Sequence, residues 1–434
     1  MSRFSHDRRT ALKLFGLTGA GALLATAGFP LMAGSVGPAR VAIVGGGFGG
    51  ATAARYLKRL APELNVTLIE PLKRYYTCPF TNLYLGGLRE FDSLGHGYDD
   101  LRRLGVNVVH ARAESVDADN RSLKLDDGVD LKWDRLVLSP GIDIRWGALE
   151  GYDRAASELA PHAWQAGEQT HLLKRQLEAM NDGGTFILVA PDNPYRCPPG
   201  PYERVSMVAH YLSRHKPRSK VLLLDSKDAF SKQPLFLEGW RENYGEMVEW
   251  VGRSGDGRVV RVDAERREVE TEFGEIHRAD VLNVVPPQQA GAIAHQANVA
   301  GDSGWVPIEP HTFQSRKVPG IYVIGDATEA APMPKSGFVA NNQAKVTARA
   351  ILADLAGLEP PDPRWTNTCY SVIAPEWGIT VANVFEVHDG QLREVPGSGG
   401  ISALGAPARI RRNEARFAES WYAGIALDTW GTRS

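Results

Sequence analysis

Three cysteines in 434 residues exclude a disulfide scaffold. Their odd number allows at most one intramolecular bond, with one sulfur left over. No Cys-x-x-Cys-His occurs, so nothing in this chain reads as a c-type haem attachment site. The 11 histidines form no ligand-spaced cluster, so no metal ligand is named. A net charge of −2 lacks the basic excess that nucleic acid requires. Apolar runs of membrane-spanning length are missing as well. What is present is ordinary for a globular chain, with 43% hydrophobic and 23% charged residues, and the length predicts two or three domains.

Residues 1–37 read as an export signal rather than as part of the fold. Arg8-Arg9 precede a short, mildly apolar run from Leu12 to Ala27, and Ala25-Thr26-Ala27 offers a small-residue exit. The arginine pair resembles a twin-arginine signal, which exports folded, cofactor-loaded proteins and predicts a periplasmic location. Loss of this basic segment leaves a net charge of −5, in an oxidising compartment where a disulfide can persist.

Arg40–Val44 is an apolar run suited to a buried parallel strand. It runs into Gly45-Gly46-Gly47-Phe48-Gly49-Gly50, then a helical stretch, then a second strand, Val66–Ile69, ending at Glu70. In this dinucleotide-binding pattern Gly45 permits the tight turn and Gly47 lets a pyrophosphate approach the backbone. Gly50 allows close helix packing, and Glu70 takes the ribose hydroxyls. Far downstream, the strand Ile321–Ile324 ends in Gly325-Asp326, placing a carboxylate for ribitol hydroxyls. The pair of motifs predicts FAD held in a domain split by an insertion. A helix from about Phe338 to Leu355 follows Pro332-Met333-Pro334-Lys335-Ser336-Gly337. Its N-terminal dipole, with Lys335, is expected to face the flavin pyrimidine ring and stabilise negative charge there.

The insertion repeats the β-α-β pattern. A helix over His171–Met180 is expected to cap at Gly183-Gly184, and the strand Thr185–Ala190, the helix Tyr202–Arg214 and the strand Val221–Asp225 follow. Its phosphate turn, however, reads Pro191-Asp192-Asn193-Pro194-Tyr195-Arg196-Cys197-Pro198-Pro199-Gly200. Prolines remove N–H donors and side chains keep a phosphate from the backbone. This domain is therefore expected not to bind NAD(P)H, and electrons must reach the flavin from a smaller reductant. The fold class is α/β: two Rossmann-like domains and a smaller α+β C-terminal domain. The expected boundaries are 38–150 with 288–360 for the FAD domain, 151–287 for the NAD-like domain, and 361–434 for the C-terminal domain.

The cysteine-bearing segments carry a resemblance. Tyr75-Tyr76-Thr77-Cys78, Arg196-Cys197-Pro198-Pro199-Gly200-Pro201-Tyr202-Glu203-Arg204, Pro332–Gly337 and Asn367-Thr368-Cys369-Tyr370-Ser371 are similar to segments of the flavoprotein subunit of flavocytochrome c sulfide dehydrogenase. Shorter matches at 44–54, 96–99, 162–170 and 420–422 extend the resemblance over nearly the whole chain beyond the signal. Sulfide:quinone oxidoreductases are similar at a greater distance. The resemblance implies that Cys78 holds FAD covalently, and that Cys197 and Cys369 form a redox-active disulfide beside the flavin. Glu203 is then a proton acceptor near that disulfide, and Trp421 lies over the flavin or along the electron exit. Hydrosulfide would open the disulfide to a persulfide and a thiolate on Cys369, and two electrons would pass to FAD. They would go on to the haem of a separate c-type cytochrome subunit, with elemental sulfur or polysulfide as product.

Two other readings compete. In a sulfide:quinone oxidoreductase an amphipathic C-terminal element reaches the membrane. Here Arg409-Ile410-Arg411-Arg412-Asn413-Glu414-Ala415-Arg416 is too charged for lipid burial, so no stable membrane insertion is expected. The non-enzymatic reading is an exported Rossmann-like binding or assembly module.

Overall fold

The computed structural model describes residues 38–431. The export-signal reading falls on 1–37, outside them. Along the chain, β1 (Arg40–Val44) enters α1 (Phe48–Leu60) and β2 (Asn65–Ile69), followed by β3 (Asn107–Val109) and β4 (Arg135–Leu138). The inserted layer holds α2 (Glu168–Ala179), β5 (Thr185–Ala190), α3 (Gly200–His215), β6 (Lys220–Asp225), α4 (Gln233–Tyr244), β7 (Val248–Val251) and β8 (Val281–Val284). The chain then returns through β9 (Ile321–Val323) and α5 (Gly337–Leu355). It ends in β10 (Arg364–Ala374), β11 (Trp377–His388) and α6 (Ala408–Trp430).

The first sheet has the order β9-β4-β1-β2-β3, all parallel. The second has the order β7-β6-β5-β8, also parallel. Helices cover both faces, so the central strands read as continuous apolar runs: Val41 to Val44 and Phe186 to Ala190 are all buried. In each sheet the strand order reverses beside one strand, β1 in the first and β5 in the second. A ligand crevice opens at the carboxyl end of such a strand. The glycine turn follows β1, and the proline-rich Cys197 loop follows β5. The C-terminal unit pairs β10 with β11 antiparallel, and α6 packs on both. This is the two-dinucleotide-domain α/β architecture with a smaller α+β unit.

One boundary differs from the sequence reading. Helix α2 ends at Ala179, and Met180 takes the C-cap in an extended conformation. Gly183-Gly184 lie beyond it, in the turn into β5, where Gly183 has φ +95°.

Two charged residues at the start of α6, Arg411 and Glu414, are buried in protein. Arg411 is 0% exposed. Its guanidinium pairs with Glu414 at 3.2 Å and with Glu238 of α4 at 2.8 Å, and it donates to the Ala403 carbonyl. The far end of α6 also points inward: Trp430 is fully buried, and its Nε1 donates to the Gly46 carbonyl at 3.0 Å. Among the described residues no helix is long and apolar enough to cross a membrane. Removing one partner of a buried ion pair leaves an uncompensated charge, at a cost of about 3–5 kcal/mol. Arg411→Ala strands Glu238 and Glu414 in this way and should lower thermal stability by that order, read as a reduced melting temperature of the holoprotein.

Candidate functional site

Two clefts flank the start of α1. The first is lined by Gly45, Glu70, Pro71, Arg112, Pro140 and Asp143. Gly45 has φ +99°, a conformation open to glycine, and a Cβ on Gly50 would lie 1.8 Å from the Gly45 carbonyl oxygen. The turn therefore needs glycine at both positions. Glu70 is buried at the end of β2, where its carboxylate accepts from the Gly46 N–H at 2.8 Å and the Leu72 N–H at 2.9 Å. Gly47 caps α1 and faces the Tyr75 ring. Tyr75 in turn stacks on Trp430 at 5.5 Å, so the C-terminal helix closes the far side of the turn.

The second cleft lies against the starts of α1 and α5. All three cysteines line it, together with Arg196, Glu203 and Asp326, Phe48 of α1, and Trp421. Cys78, Cys197 and Cys369 are far apart in sequence and meet only here. Cys78 donates its S–H toward the Trp164 carbonyl at 3.6 Å. Cys197 sits in the left-handed region at φ +61°, with its N–H on the Lys335 carbonyl at 2.8 Å. A Cβ on Gly200, at the start of α3, would lie 3.1 Å from Cys197 Sγ and 2.7 Å from the Trp164 ring, so the loop folds back only with glycine there. All three cysteines are free thiols, so the Cys197–Cys369 bond implied by the resemblance is not formed in this structure. Burial, followed by the charges of Glu203 and Cys369, pushes the Cys197 thiol well up. Burial raises Cys369 too, while Lys232 pulls it down.

Glu203 is not a solvent-facing helix-start carboxylate. Burial raises its pKa, Lys232 and Ser371 lower it, and its Oε1 accepts from the Ser371 hydroxyl. Next to it, Arg204 is buried and spends its donors on Asn82, Asn283 and the carbonyls of His162 and Ala163. Gly325 donates to Gln343 Oε1 at 2.7 Å, which holds the end of β9 against α5. Ser336 caps α5 through Val339 N–H, and the helix start contributes Ser336, Gly337 and Phe338 to the cleft.

Lys335 does not reach this cleft. Its ammonium donates to the Asp326 and Thr328 carbonyls at 2.8 and 2.7 Å and lies 3.7 Å from the centre of the Trp305 ring. Burial lowers its pKa to about 8. The guanidinium that lines the cysteine cleft is that of Arg196. Sequence reasoning also missed Lys232, buried at the start of α4 and within 3.9 Å of Cys369 Sγ. A lysine in Ser-Lys-Gln-Pro ahead of a helix carries no sequence signal of burial.

The residues fit a dinucleotide extended across both clefts. A glycine cradle joins them, an acid lies in one, and in the other Asp326 keeps a buried carboxylate oxygen with no hydrogen-bond partner. A buried acceptor left unmatched is costly unless a donor reaches it, and a ribitol hydroxyl supplies that donor. No group of three or more metal-ligating side chains gathers among the described residues.

Comparison with known proteins agrees with this geometry. The family model for the central part of the sulfide dehydrogenase [flavocytochrome c] flavoprotein chain matches residues 170–286. That for the flavin-binding part of flavocytochrome c sulphide dehydrogenase matches 361–430, and the pyridine nucleotide-disulphide oxidoreductase model matches 39–181. The sulfide dehydrogenase flavoprotein chain of Chlorobaculum thiosulfatiphilum is 56% identical over 46 residues, covering 11% of this chain and 96% of that sequence. The mitochondrial sulfide:quinone oxidoreductase of Mus musculus is 22% identical over 326 residues, 74% of this chain and 72% of that one. In fold, the sulfide:quinone oxidoreductase of Aquifex aeolicus superposes with a TM-score of 0.69 at 18% identity, covering 91% and 93% of the two chains. With these matches along its length, the chain belongs to the family of flavocytochrome c sulfide dehydrogenase flavoprotein chains.

Proposed function

We propose that this chain oxidises hydrosulfide, using FAD tethered to Cys78 and a redox-active Cys197–Cys369 disulfide, and delivers electrons to a separate c-type cytochrome. The observation that carries the reading is the convergence of all three cysteines on one cleft with Asp326. Bound FAD supplies a two-electron acceptor that passes electrons on singly.

The chain's own residues do the sulfur chemistry. Hydrosulfide forms a new S–S bond with Cys197 as the Cys197–Cys369 bond breaks, and the bonding pair leaves on Cys369 as thiolate. A second hydrosulfide takes the terminal sulfur of the Cys197 persulfide, releasing hydrodisulfide and a Cys197 thiolate. The two thiolates then close to the disulfide as two electrons leave them. Glu203, with its pKa raised by burial, takes the proton lost from sulfur. The proline-rich turn after β5 offers no cradle for NAD(P)H, which favours hydrosulfide as the reductant.

Burial of Trp430 and Tyr422 of α6 inside the protein favours a soluble cytochrome over a membrane quinone as acceptor. The arginine pair at Arg8-Arg9 supports twin-arginine export and work in the periplasm.

Three measurements test the reading. After acid precipitation, flavin should stay with the protein pellet, and Cys78→Ser should release it to the supernatant. Anaerobic sulfide should bleach the flavin of the wild-type protein, whereas Cys369→Ser should leave it oxidised; full bleaching in that variant would sink the mechanism. In the Cys78→Ser background, Asp326→Ala removes a charged hydrogen bond of about 1.5–3 kcal/mol, so flavin affinity should fall at least about tenfold.

A further inference from the structure

Cys369 and Ser371 are two residues apart on β10 and so project from one face of the strand. Lys232 meets that face. It precedes α4 with φ +61°, an uncommon conformation for lysine, and is 4% exposed. Its Nζ donates to Ser371 Oγ at 2.6 Å and lies 3.9 Å from Cys369 Sγ. The Ser371 hydroxyl in turn donates to Glu203 Oε1. Cation, hydroxyl and carboxylate therefore form a continuous line ending at one of the two sulfurs. Other charged or titratable groups around it are Arg204 on α3, Arg196 and Cys197 in the loop before α3, and Cys78 and Asp326 across the cleft.

We propose that Lys232 is the counter-ion of the Cys369 thiolate, and that it selects Cys369 as the sulfur that leaves when the disulfide opens. This assignment rests on the sulfide reading above. In the oxidised protein the ammonium is balanced through Ser371 by Glu203. When hydrosulfide bonds to Cys197 and the S–S pair departs on Cys369, the negative charge that entered with hydrosulfide comes to rest facing Nζ. The departing sulfur needs no proton. Attack on the other sulfur would leave the charge on Cys197, which Lys232 does not touch.

The test is alkylation of the chemically reduced holoprotein by iodoacetamide across pH, with modification at each cysteine quantified by peptide mass. In the wild-type protein Cys369 should titrate below Cys197. Lys232→Met should raise the Cys369 midpoint by about one unit or more, slowing its alkylation about tenfold below the midpoint. Cys197 should move much less, and Lys232→Arg should restore the wild-type value. Glu203→Gln should shift Cys369 the opposite way, downward. An unchanged Cys369 midpoint in folded Lys232→Met, or failure of arginine to restore it, overturns the assignment. So does a wild-type order with Cys197 below Cys369, which requires no variant to fold. Sulfide bleaching is read separately. If sulfide fails to bleach wild-type flavin while these midpoints move as stated, the sulfide reading is wrong and the ion pair stands.

Discussion

Charge removed from water must find its counter-charge in place, and the cysteine cleft is organised by that requirement. Arg196, Arg204 and Lys232 come within reach of Glu203, Asp326 and three thiols in a region that burial makes hostile to any lone ion. Arg204 is held by two side-chain amides and two carbonyls, which ties α3 to the segments around Asn82, His162 and Asn283. The same principle acts at the periphery, where Arg411 pairs with Glu414 of its own helix and joins α6 to α4 through Glu238. The Arg411–Glu238 pair ties the C-terminal unit to the inserted layer.

The two Rossmann layers solve one geometric problem with different chemistry. Each opens a crevice where the strand order reverses. After β1 the crevice is lined by bare glycine backbone, suited to a phosphate. After β5 the equivalent turn carries Cys197 in a left-handed conformation, braced by Gly200 and the Lys335 carbonyl. Three non-glycine residues with positive φ lie at this cleft: Phe80 and Cys197 line it, and Lys232 lies beside Cys369. Such conformations persist where the surroundings over-determine them, as at reactive centres. The second layer thus places a cysteine where the first places a glycine turn.

Local chemistry made much of this legible. Strand, glycine turn, helix and terminal acid lie within about thirty residues, so the contacts that define β1, α1 and Glu70 are short in sequence and leave a readable pattern. The proline substitutions in the second turn are equally local. The end of α2 was less legible: glycine is a frequent C-cap, yet the chain leaves the helix at Met180 and spends its glycines in the next turn. The contacts of Lys335 were not legible for a different reason. Its position in the sequence is next to the helix cap, but its long side chain turns back to two carbonyls and an indole ring.

The sequence by itself determined the fold class, the dinucleotide turn at Gly45–Gly50, the loss of a phosphate cradle around Cys197, and the three sulfurs as the residues to follow. Each follows from neighbouring residue types and from backbone constraints acting over a few positions. Only the tertiary structure decided that Ser371 bridges Glu203 and Lys232, that Trp430 at the far end of α6 covers the glycine turn, and that Lys232 lies beside Cys369. Those contacts join segments tens to hundreds of residues apart. Long-range packing and the pairing of buried charge set them, and neither leaves a period or a motif in the sequence.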